Sequence, residues 1–167
     1  MPTDKHVEIT GYRPGALSRV CEMQTLYYAR EWDFGLPFET RIAADMATFL
    51  TSFDAANDLF RIALRDGEIL GSITIIGHDV GAEPDMAHLR WFIMDDSLRG
   101  TGTGGALLRQ AVDFARDSGR RGIYLWTFEG LAAARHLYEK AGFRLVESNP
   151  GMTWGRPVIE QRFDLIF

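Results

Sequence analysis

The sequence predicts a single mixed α/β domain in which helices pack on a mostly antiparallel sheet. Apolar residues recur with helical and strand periods in turn along the whole chain, and no linker, repeat or low-complexity tract separates these segments. The composition agrees, since 167 residues with 46% hydrophobic and 25% charged side chains are typical of one globular domain. We therefore expect one domain over residues 1–167 that folds without a metal or a disulfide.

The first half of the chain predicts a strand, two helices and a hairpin. Gly35 and Pro37 disfavour helix and so separate the two helical segments. Asp66-Gly67 between two apolar runs is a strong signal for a tight hairpin, and the turn-forming residues 77–84 predict a loop after it. In order, the elements are a strand at 7–12, helices at 17–28 and 42–53, and strands at 59–64 and 69–76.

The second half predicts a β-α-β unit followed by a helix and two strands. Leu108, Ala111 and Ala115 share one face of a helix that Gly119 ends. Because β-α-β crossovers join parallel strands, the strands on either side of this helix are expected to be parallel. The elements are strands at 87–95 and 122–128 around a helix at 102–118, then a helix at 131–141 and strands at 143–147 and 158–166, with a loop at 148–157.

Charge and cysteine content narrow the possible partners. A net charge of −5 and a pI near 5.3 lack the positive field that binds a phosphate backbone, so we expect no nucleic-acid partner. Charge-free runs such as 69–77 are too short to span a membrane, and residues 1–5 open no signal peptide, so we expect no membrane contact and a cytoplasmic location. One cysteine and four scattered histidines predict neither a disulfide nor a metal site.

A glycine cluster is the most informative part of the chain. Four of the 17 glycines lie within residues 100–105, between a predicted strand and the start of a helix. Free backbone N–H groups and the positive end of the helix dipole meet there, and glycines let an anion approach the backbone closely. The pattern predicts a phosphate or pyrophosphate site. A flexible loop that binds nothing is the alternative.

Two other phosphate-binding loops fit the cluster poorly. No Gly-x-x-x-x-Gly-Lys-Ser/Thr motif is present, so the lysine of a nucleotide triphosphatase loop is missing. Gly100, Gly102 and Gly105 satisfy the spacing of a dinucleotide fingerprint, but that motif belongs to the first β-α-β unit and needs an acidic residue about 20 positions later. Arg120 and Arg121 lie at that distance here.

Two segments together resemble the Gcn5-related N-acetyltransferase (GNAT) family. Residues 99–104, Arg-Gly-Thr-Gly-Thr-Gly, fit its coenzyme A loop, and residues 137–143, Leu-Tyr-Glu-Lys-Ala-Gly-Phe, look like its second signature at a matching distance. The resemblance covers the whole chain and is closest to acetyltransferase halves fused to MarR-type DNA-binding domains, which share features such as Leu89-Arg90, 125–127 and 155–161. It implies a GNAT-like sheet with one splayed parallel strand pair.

The resemblance also implies a reaction and a set of residues for it. Acetyl-CoA would be the cosubstrate, and an acetyl group would pass to an amine of a small molecule or peptide. Tyr138 would protonate the departing thiolate, although helical periodicity alone favours a packed core tyrosine. The coenzyme would contact the strand backbone at Phe92, Ile93 and Met94 and the loop at Arg99, Gly100, Thr101, Gly102, Thr103, Gly104 and Gly105.

The sequence departs from the family pattern at two positions, and the first of them bears on an alternative function. Leu131 stands where the family often has an asparagine that contacts the pantetheine arm, and Asp96 stands near the loop where a proline is common. A catalytically degenerate acyl-CoA-binding sensor or structural module is therefore the alternative, although Tyr138 is retained.

The sequence says less about where the acceptor amine would bind. Strand alternation places His88, Arg90, Phe92 and Met94 on one face, where a charged Arg90 needs either an internal acid or a carboxylate of the substrate as partner. Trp32 and Trp154 lie in predicted loops and are the candidates for the acceptor pocket. The general base is open among Glu31, His88, Glu129 and water, and the oligomeric state between a monomer and a homodimer.

Overall fold

The computed structural model describes residues 6–77, 83 and 85–167. Within these residues, four α helices flank one seven-stranded sheet. In chain order the elements are β1 (Glu8–Thr10), α1 (Ala16–Trp32), α2 (Leu36–Thr51), β2 (Leu59–Arg65), β3 (Glu68–Ile76), β4 (Met86–Met94), α3 (Thr103–Asp117), β5 (Gly122–Phe128), α4 (Ala132–Ala141), β6 (Arg144–Gly151) and β7 (Val158–Ile166), with a short 3-10 turn at Asp96–Leu98.

The sheet confirms the predicted fold class. Its strand order is β1-β2-β3-β4-β5-β7-β6, and each neighbouring pair is antiparallel except β4 and β5, which are parallel. The hairpin turn predicted at Asp66-Gly67 joins β2 to β3, with both residues at positive φ. Most of the loop predicted at 77–84, and the polar start at 1–5, lie outside the described residues.

Three predicted boundaries are wrong for identifiable reasons. The second helix begins at Leu36 and not at residue 42, because Pro37 lies in its first turn, where the missing N–H removes no helical hydrogen bond. β6 continues to Gly151 through the expected loop, because Pro150 lies on an edge strand, where a missing N–H removes no necessary hydrogen bond. Trp32 is the last residue of α1 and not part of a loop, since the backbone leaves the helical conformation only at the C-cap Asp33, whose φ of 55° is left-handed.

The sheet separates two apolar layers. On one side α3 and α4 pack on the central strands, with Leu107, Tyr138 and Phe163 among the buried side chains. On the other side α1 and α2 cover the sheet with an aromatic layer that includes Phe38 and Phe128. A ligand can reach the space between these layers where neighbouring strands separate.

Candidate active site

The parallel strands β4 and β5 separate soon after they meet. Their pairing joins Met86–His88 to residues 122–124, and from Leu125 onward β5 is paired with β7 alone within the described part of the chain. The edge of β4 that faces β5 is therefore left open over Phe92–Met94. Unpaired backbone groups at such an edge can take an extended amide-bearing ligand as an added strand.

A β-bulge in β4 overturns the predicted alternation of its side chains. Trp91 has a φ of 49°, and the register places both Trp91 and Phe92 opposite Ile73. Because of this extra residue, Phe92 and Met94 pack with the layer under α3 and α4, whereas Trp91 packs under α1 and α2. They do not share a continuous face with His88 and Arg90 as strict alternation predicts.

The bulge is held from the neighbouring strand. The hydroxyl of Ser72, which is fully buried in β3, donates to the carbonyl oxygen of Trp91 at 2.7 Å. The carbonyl is thereby satisfied although the regular ladder is interrupted, and the strained backbone of Trp91 is fixed.

The glycine loop forms the turn that its sequence predicts. Gly100 and Gly102 have φ values of 72° and 78°, and Gly102 is the N-cap of α3. The hydroxyls of Thr101 and Thr103 lie 2.7 Å apart, and Thr101 donates to the carbonyl of Leu98 at 2.6 Å. The two threonines therefore stabilise the turn through their side chains. The N–H of Thr103 donates to Oγ1 of Thr101 at 3.4 Å, and the N–H groups that follow it in the first turn of α3 remain for an anion.

A cavity of about 440 Å³ extends from the open edge of β4 to this loop, and we call it the loop cavity. Gly104 lies so close to β4 that a Cβ there would be 3.0 Å from the sulfur of Met94, which shows how tightly the loop packs. The predicted coenzyme residues in its wall are Phe92, Ile93, Met94, Arg99, Gly100, Gly102, Gly104 and Gly105, whereas Thr101 and Thr103 are absent from it.

The opposite wall of the loop cavity is the start of α4. Leu131, the N-cap of this helix, lines the cavity and makes no side-chain capping hydrogen bond. Gly130 beside it packs on Trp32, since a Cβ there would lie 2.4 Å from the indole ring. An apolar side chain thus occupies the position where the family often has an amide.

A second cavity, of about 490 Å³, lies on the α1 and α2 side, and we call it the aromatic cavity. Tyr28 and Phe92 line both cavities, so the two spaces meet at these side chains. Its other aromatic walls are Phe38, Trp91, Trp126, Phe128, Tyr138 and Trp154, and its polar walls include Gln24, Arg41, His88, Arg90, Thr153 and Glu160.

Tyr138 belongs to the layer under α3 and α4 and reaches the wall of the aromatic cavity. It is 6% exposed, borders the aromatic cavity, and its ring is 6.0 Å from that of Phe92. Burial raises the pKa of its phenol above the ordinary value, with a smaller contribution from Tyr28. The phenol is therefore protonated at neutral pH and available as a proton donor.

Arg90 has an internal acid as its partner. Its Nη2 donates to Oδ2 of Asp45 on α2 at 2.8 Å, and its guanidinium lies 4.5 Å from the ring centre of Trp91. Of the two partners that the sequence left open, the internal acid is present. Arg90 nevertheless borders the aromatic cavity, and its side chain is 25% exposed.

The remaining predicted residues divide between the cavity and its surroundings. Trp154 lines the aromatic cavity, whereas Trp32 lines neither cavity and packs edge-on against Phe128 at 4.7 Å. Among the proposed bases, His88 lines the aromatic cavity, and Glu31 and Glu129 line neither. Glu31 instead pairs with Arg30 at the surface.

Sequence reasoning missed two charged residues of the aromatic cavity, Arg41 and Glu160. Arg41 is half exposed on α2, and only the fold brings it to the sheet. Glu160 could have been found from strand pairing, because it is directly opposite Phe128 in the antiparallel β5–β7 pair and such residues share a face.

Neither a metal cluster nor a spanning helix is found in the part of the chain that the structure describes. No three His, Cys, Asp or Glu side chains of these residues are grouped as metal ligands. None of the helices described here has the length and apolar character needed to cross a bilayer.

The curated proteins with similar sequences include an N-acetylaspartate synthetase and a mycothiol acetyltransferase. N-acetylaspartate synthetase of Xenopus tropicalis is 33% identical over 99 residues, which are 56% of this chain and 35% of that protein. Mycothiol acetyltransferase of Cellulomonas flavigena is 34% identical over 97 residues, which are 54% of this chain and 27% of that protein. The chain thus spans about a third or less of the length of these relatives.

Solved structures show the same fold at low sequence identity. A GNAT acetyltransferase from Staphylococcus aureus superimposes with a TM-score of 0.76 at 18% identity, covering 96% of this chain and 99% of that chain. The Salmonella typhimurium protein YncA, solved with its cofactor acetyl-CoA, gives 0.71 at 18% identity, covering 96% and 93%.

The family assignment rests on the sequence model of the acetyltransferase (GNAT) family, which matches residues 19–143. This range contains the open edge of β4, the glycine loop and α4 with Tyr138. The resemblance carried by the two motifs is confirmed, and the chain belongs to the GNAT family of acetyltransferases.

Proposed function

We propose that this chain is an enzyme that transfers an acetyl group from acetyl-CoA to the amine of a small molecule or peptide. One observation carries the proposal: a cavity lined by a glycine loop and an open strand edge meets a second, aromatic and charged cavity at Tyr28 and Phe92. A transferase of this kind needs two such spaces, because the two substrates must approach one reacting carbon from different sides.

The loop cavity fits acetyl-CoA in chemistry. The backbone at the start of α3, from Gly102 to Gly105, would hold the pyrophosphate, since a helix N-terminus without side chains offers close N–H donors. The open backbone of Phe92–Met94 would pair with the pantetheine amides. Thr101 and Thr103 act through the shape of the turn, because their side chains are engaged within it.

The chemical step places Tyr138 beside the departing sulfur. A base first removes a proton from the ammonium of the acceptor. The amine nitrogen then bonds to the acyl carbon, the carbon–sulfur bond breaks, and the sulfur takes the phenolic proton of Tyr138. The proton that the nitrogen loses on becoming an amide restores the phenol. Because burial raises the pKa of Tyr138, the phenol keeps this proton until the thiolate forms. Of the bases that the sequence suggests, His88 is the one that lines the aromatic cavity.

Leu131 supports one alternative. This leucine lines the loop cavity where the family often has an amide, so a binder or sensor that holds acyl-CoA without turnover would tolerate it. Retention of Tyr138 in the wall of the second cavity favours the enzyme.

Finer expectations from the sequence stay predictions. The features shared with MarR-fused acetyltransferase halves, Leu89-Arg90 and 125–127, lie around the aromatic cavity, which supports an acceptor site of that type. Three other expectations also remain predictions: a single domain over 1–167, a cytoplasmic location and a monomeric or homodimeric state.

The test is release of free thiol from acetyl-CoA in the presence of a panel of amines, with mass spectrometry of the acetylated product. An enzyme releases thiol in proportion to product for at least one amine. Calorimetric binding of acetyl-CoA without thiol release for any amine would instead establish the binder.

A further inference from the structure

The aromatic cavity carries charges of both signs in its wall. Two guanidinium groups border it, from Arg41 on α2 and Arg90 on β4. Among the residues that the structure describes, Glu160 on β7 contributes the one carboxylate of this wall. Acetyl transfer as such requires an amine and no anion. The guanidinium donors that Asp45 and the carbonyl of Thr153 leave unused are therefore available to an anionic group of the acceptor.

The part of the wall that Arg41 and Arg90 form has more positive than negative charge. Asp45, which lies behind the wall, has its Oδ2 at 2.8 Å from Nη2 of Arg90 and at 3.9 Å from Nε of Arg41. One carboxylate thus faces two guanidinium groups, each of which carries five N–H donors. A ligand carboxylate would balance the second positive charge and accept from donors that Asp45 does not use.

Among the described residues, the ion pairs of Arg41 and Arg90 are with Asp45 and not with Glu160. Nη1 of Arg41 donates to the carbonyl of Thr153 at 3.1 Å, and the amide of Thr153 donates to Oε1 of Glu160 at 2.9 Å. Arg41 and Glu160 are thus both hydrogen-bonded to the backbone of Thr153. On its other side Glu160 packs on Gly151, where a Cβ would lie 2.4 Å from its carboxyl carbon.

This arrangement matches the charge pattern of an α-amino acid, in which a carboxylate and an ammonium are bonded to one carbon. The remaining wall is aromatic, with Phe128 and Trp154 at a ring distance of 5.4 Å, and suits an apolar side chain. A volume of about 490 Å³ is in the lower part of the range for small-molecule pockets.

We propose that the acceptor is an α-amino acid or a close analogue, with its carboxylate on Arg41 and Arg90 and its ammonium on Glu160. This inference rests on the proposed acetyl transfer and specifies the class of amine. It assigns positioning of the acceptor to two residues, Arg41 and Glu160, that the sequence did not indicate.

The experiment compares matched acceptors on the full chain. Phenylalanine and phenethylamine share the apolar body and the amine and differ in the carboxylate. We expect kcat/KM to be about 10- to 100-fold higher for phenylalanine, because charged hydrogen bonds of that strength are lost with phenethylamine. Equal efficiency for the two would overturn the inference and leave acetyl transfer intact. Thiol release with neither of them and with no other amine would overturn both.

Variants separate positioning from a structural role. Arg41→Gln and Arg90→Gln should each raise KM for phenylalanine by about 10-fold or more and leave KM for phenethylamine unchanged. Glu160→Gln should raise KM for both acceptors, because both carry the ammonium. Arg116→Gln is the control, since Arg116 is a half-exposed arginine in a similar intrahelical ion pair, with Asp113 on α3, away from the cavity.

Loss of the pair with Asp45 is expected to lower the melting temperature of Arg90→Gln, so the difference between the two acceptors is the decisive reading. If Arg90 and Arg41 serve stability alone, their variants will affect phenylalanine and phenethylamine equally, and that result refutes the assignment. Binding of acetyl-CoA should be unchanged in all three cavity variants.

Discussion

Alanine at Gly102 is expected to weaken acetyl-CoA binding, whereas alanine at Gly67 is not. The two glycines have nearly the same backbone, with φ of 78° and 80°, and a Cβ would meet no atom within 4 Å at either. Gly102 caps α3 and lines the loop cavity, and Gly67 is in the β2–β3 hairpin turn outside both cavities. The pair therefore holds backbone strain constant and changes the ligand site alone.

The magnitudes follow from this geometry. A side chain in the left-handed region costs about 1–2 kcal/mol, and for a chain of this size each kcal/mol lowers the melting temperature by roughly 2–4 °C. Both variants should therefore melt about 2–8 °C below the wild type. In Gly102→Ala the added methyl group also keeps a phosphate from the N–H donors, and hydrogen bonds to a charged group are worth about 1.5–3 kcal/mol, or roughly 10- to 100-fold in Kd.

Calorimetric unfolding and titration with acetyl-CoA test both numbers on the same samples. We expect similar melting temperatures for the two variants and a weaker Kd for Gly102→Ala alone. Wild-type affinity in Gly102→Ala, or an equal loss in Gly67→Ala, would refute the placement of the pyrophosphate at the start of α3.

Three further changes test other parts of the site. Tyr138→Phe should lower kcat by about 100-fold at unchanged acetyl-CoA affinity. In the wild type, deprotonation of the phenol should reduce activity only above pH 10, because burial raises the pKa of Tyr138, and the substitution should abolish this alkaline loss. The pH–rate profiles of the two proteins measure this difference. Leu131→Asn should tighten the acetyl-CoA Kd by roughly 2- to 10-fold, the value of one added hydrogen bond, and calorimetry that shows equal or weaker binding would contradict a pantetheine contact at this position. Ser72→Ala should destabilise the protein by about 1–3 kcal/mol in thermal unfolding, because it leaves the carbonyl of Trp91 without its donor.

The elements of the fold could be predicted because their signals are local. Helical periods, the Asp66-Gly67 hairpin and the helix stop before Gly119 are each set by a few neighbouring residues, and the structure has all of them. The glycine loop belongs to the same class, since four glycines before a helix define a turn without reference to distant residues.

The acceptor side could not be predicted because it depends on distant contacts. The partner of Arg90 is Asp45, which is 45 residues away on α2, and Arg41 reaches Thr153 across 112 residues. No local period signals such pairs. Trp32 illustrates the reverse error, since a tryptophan near Gly35 and Pro37 resembles a loop residue, yet its ring packs edge-on against Phe128.

The bulge at Trp91 is the feature on which both cavities depend, and the sequence disfavours it locally. A tryptophan at positive φ is strained, so propensity and alternation both predict a regular strand. Packing reverses this preference: Trp91 is 6% exposed, contacts Phe49 and Arg90, and has its carbonyl bound by Ser72. The inserted residue turns Phe92 toward α3 and α4, to the junction of the two cavities. One strained residue, stabilised by buried contacts, thus brings the coenzyme edge and the acceptor wall together on a single strand.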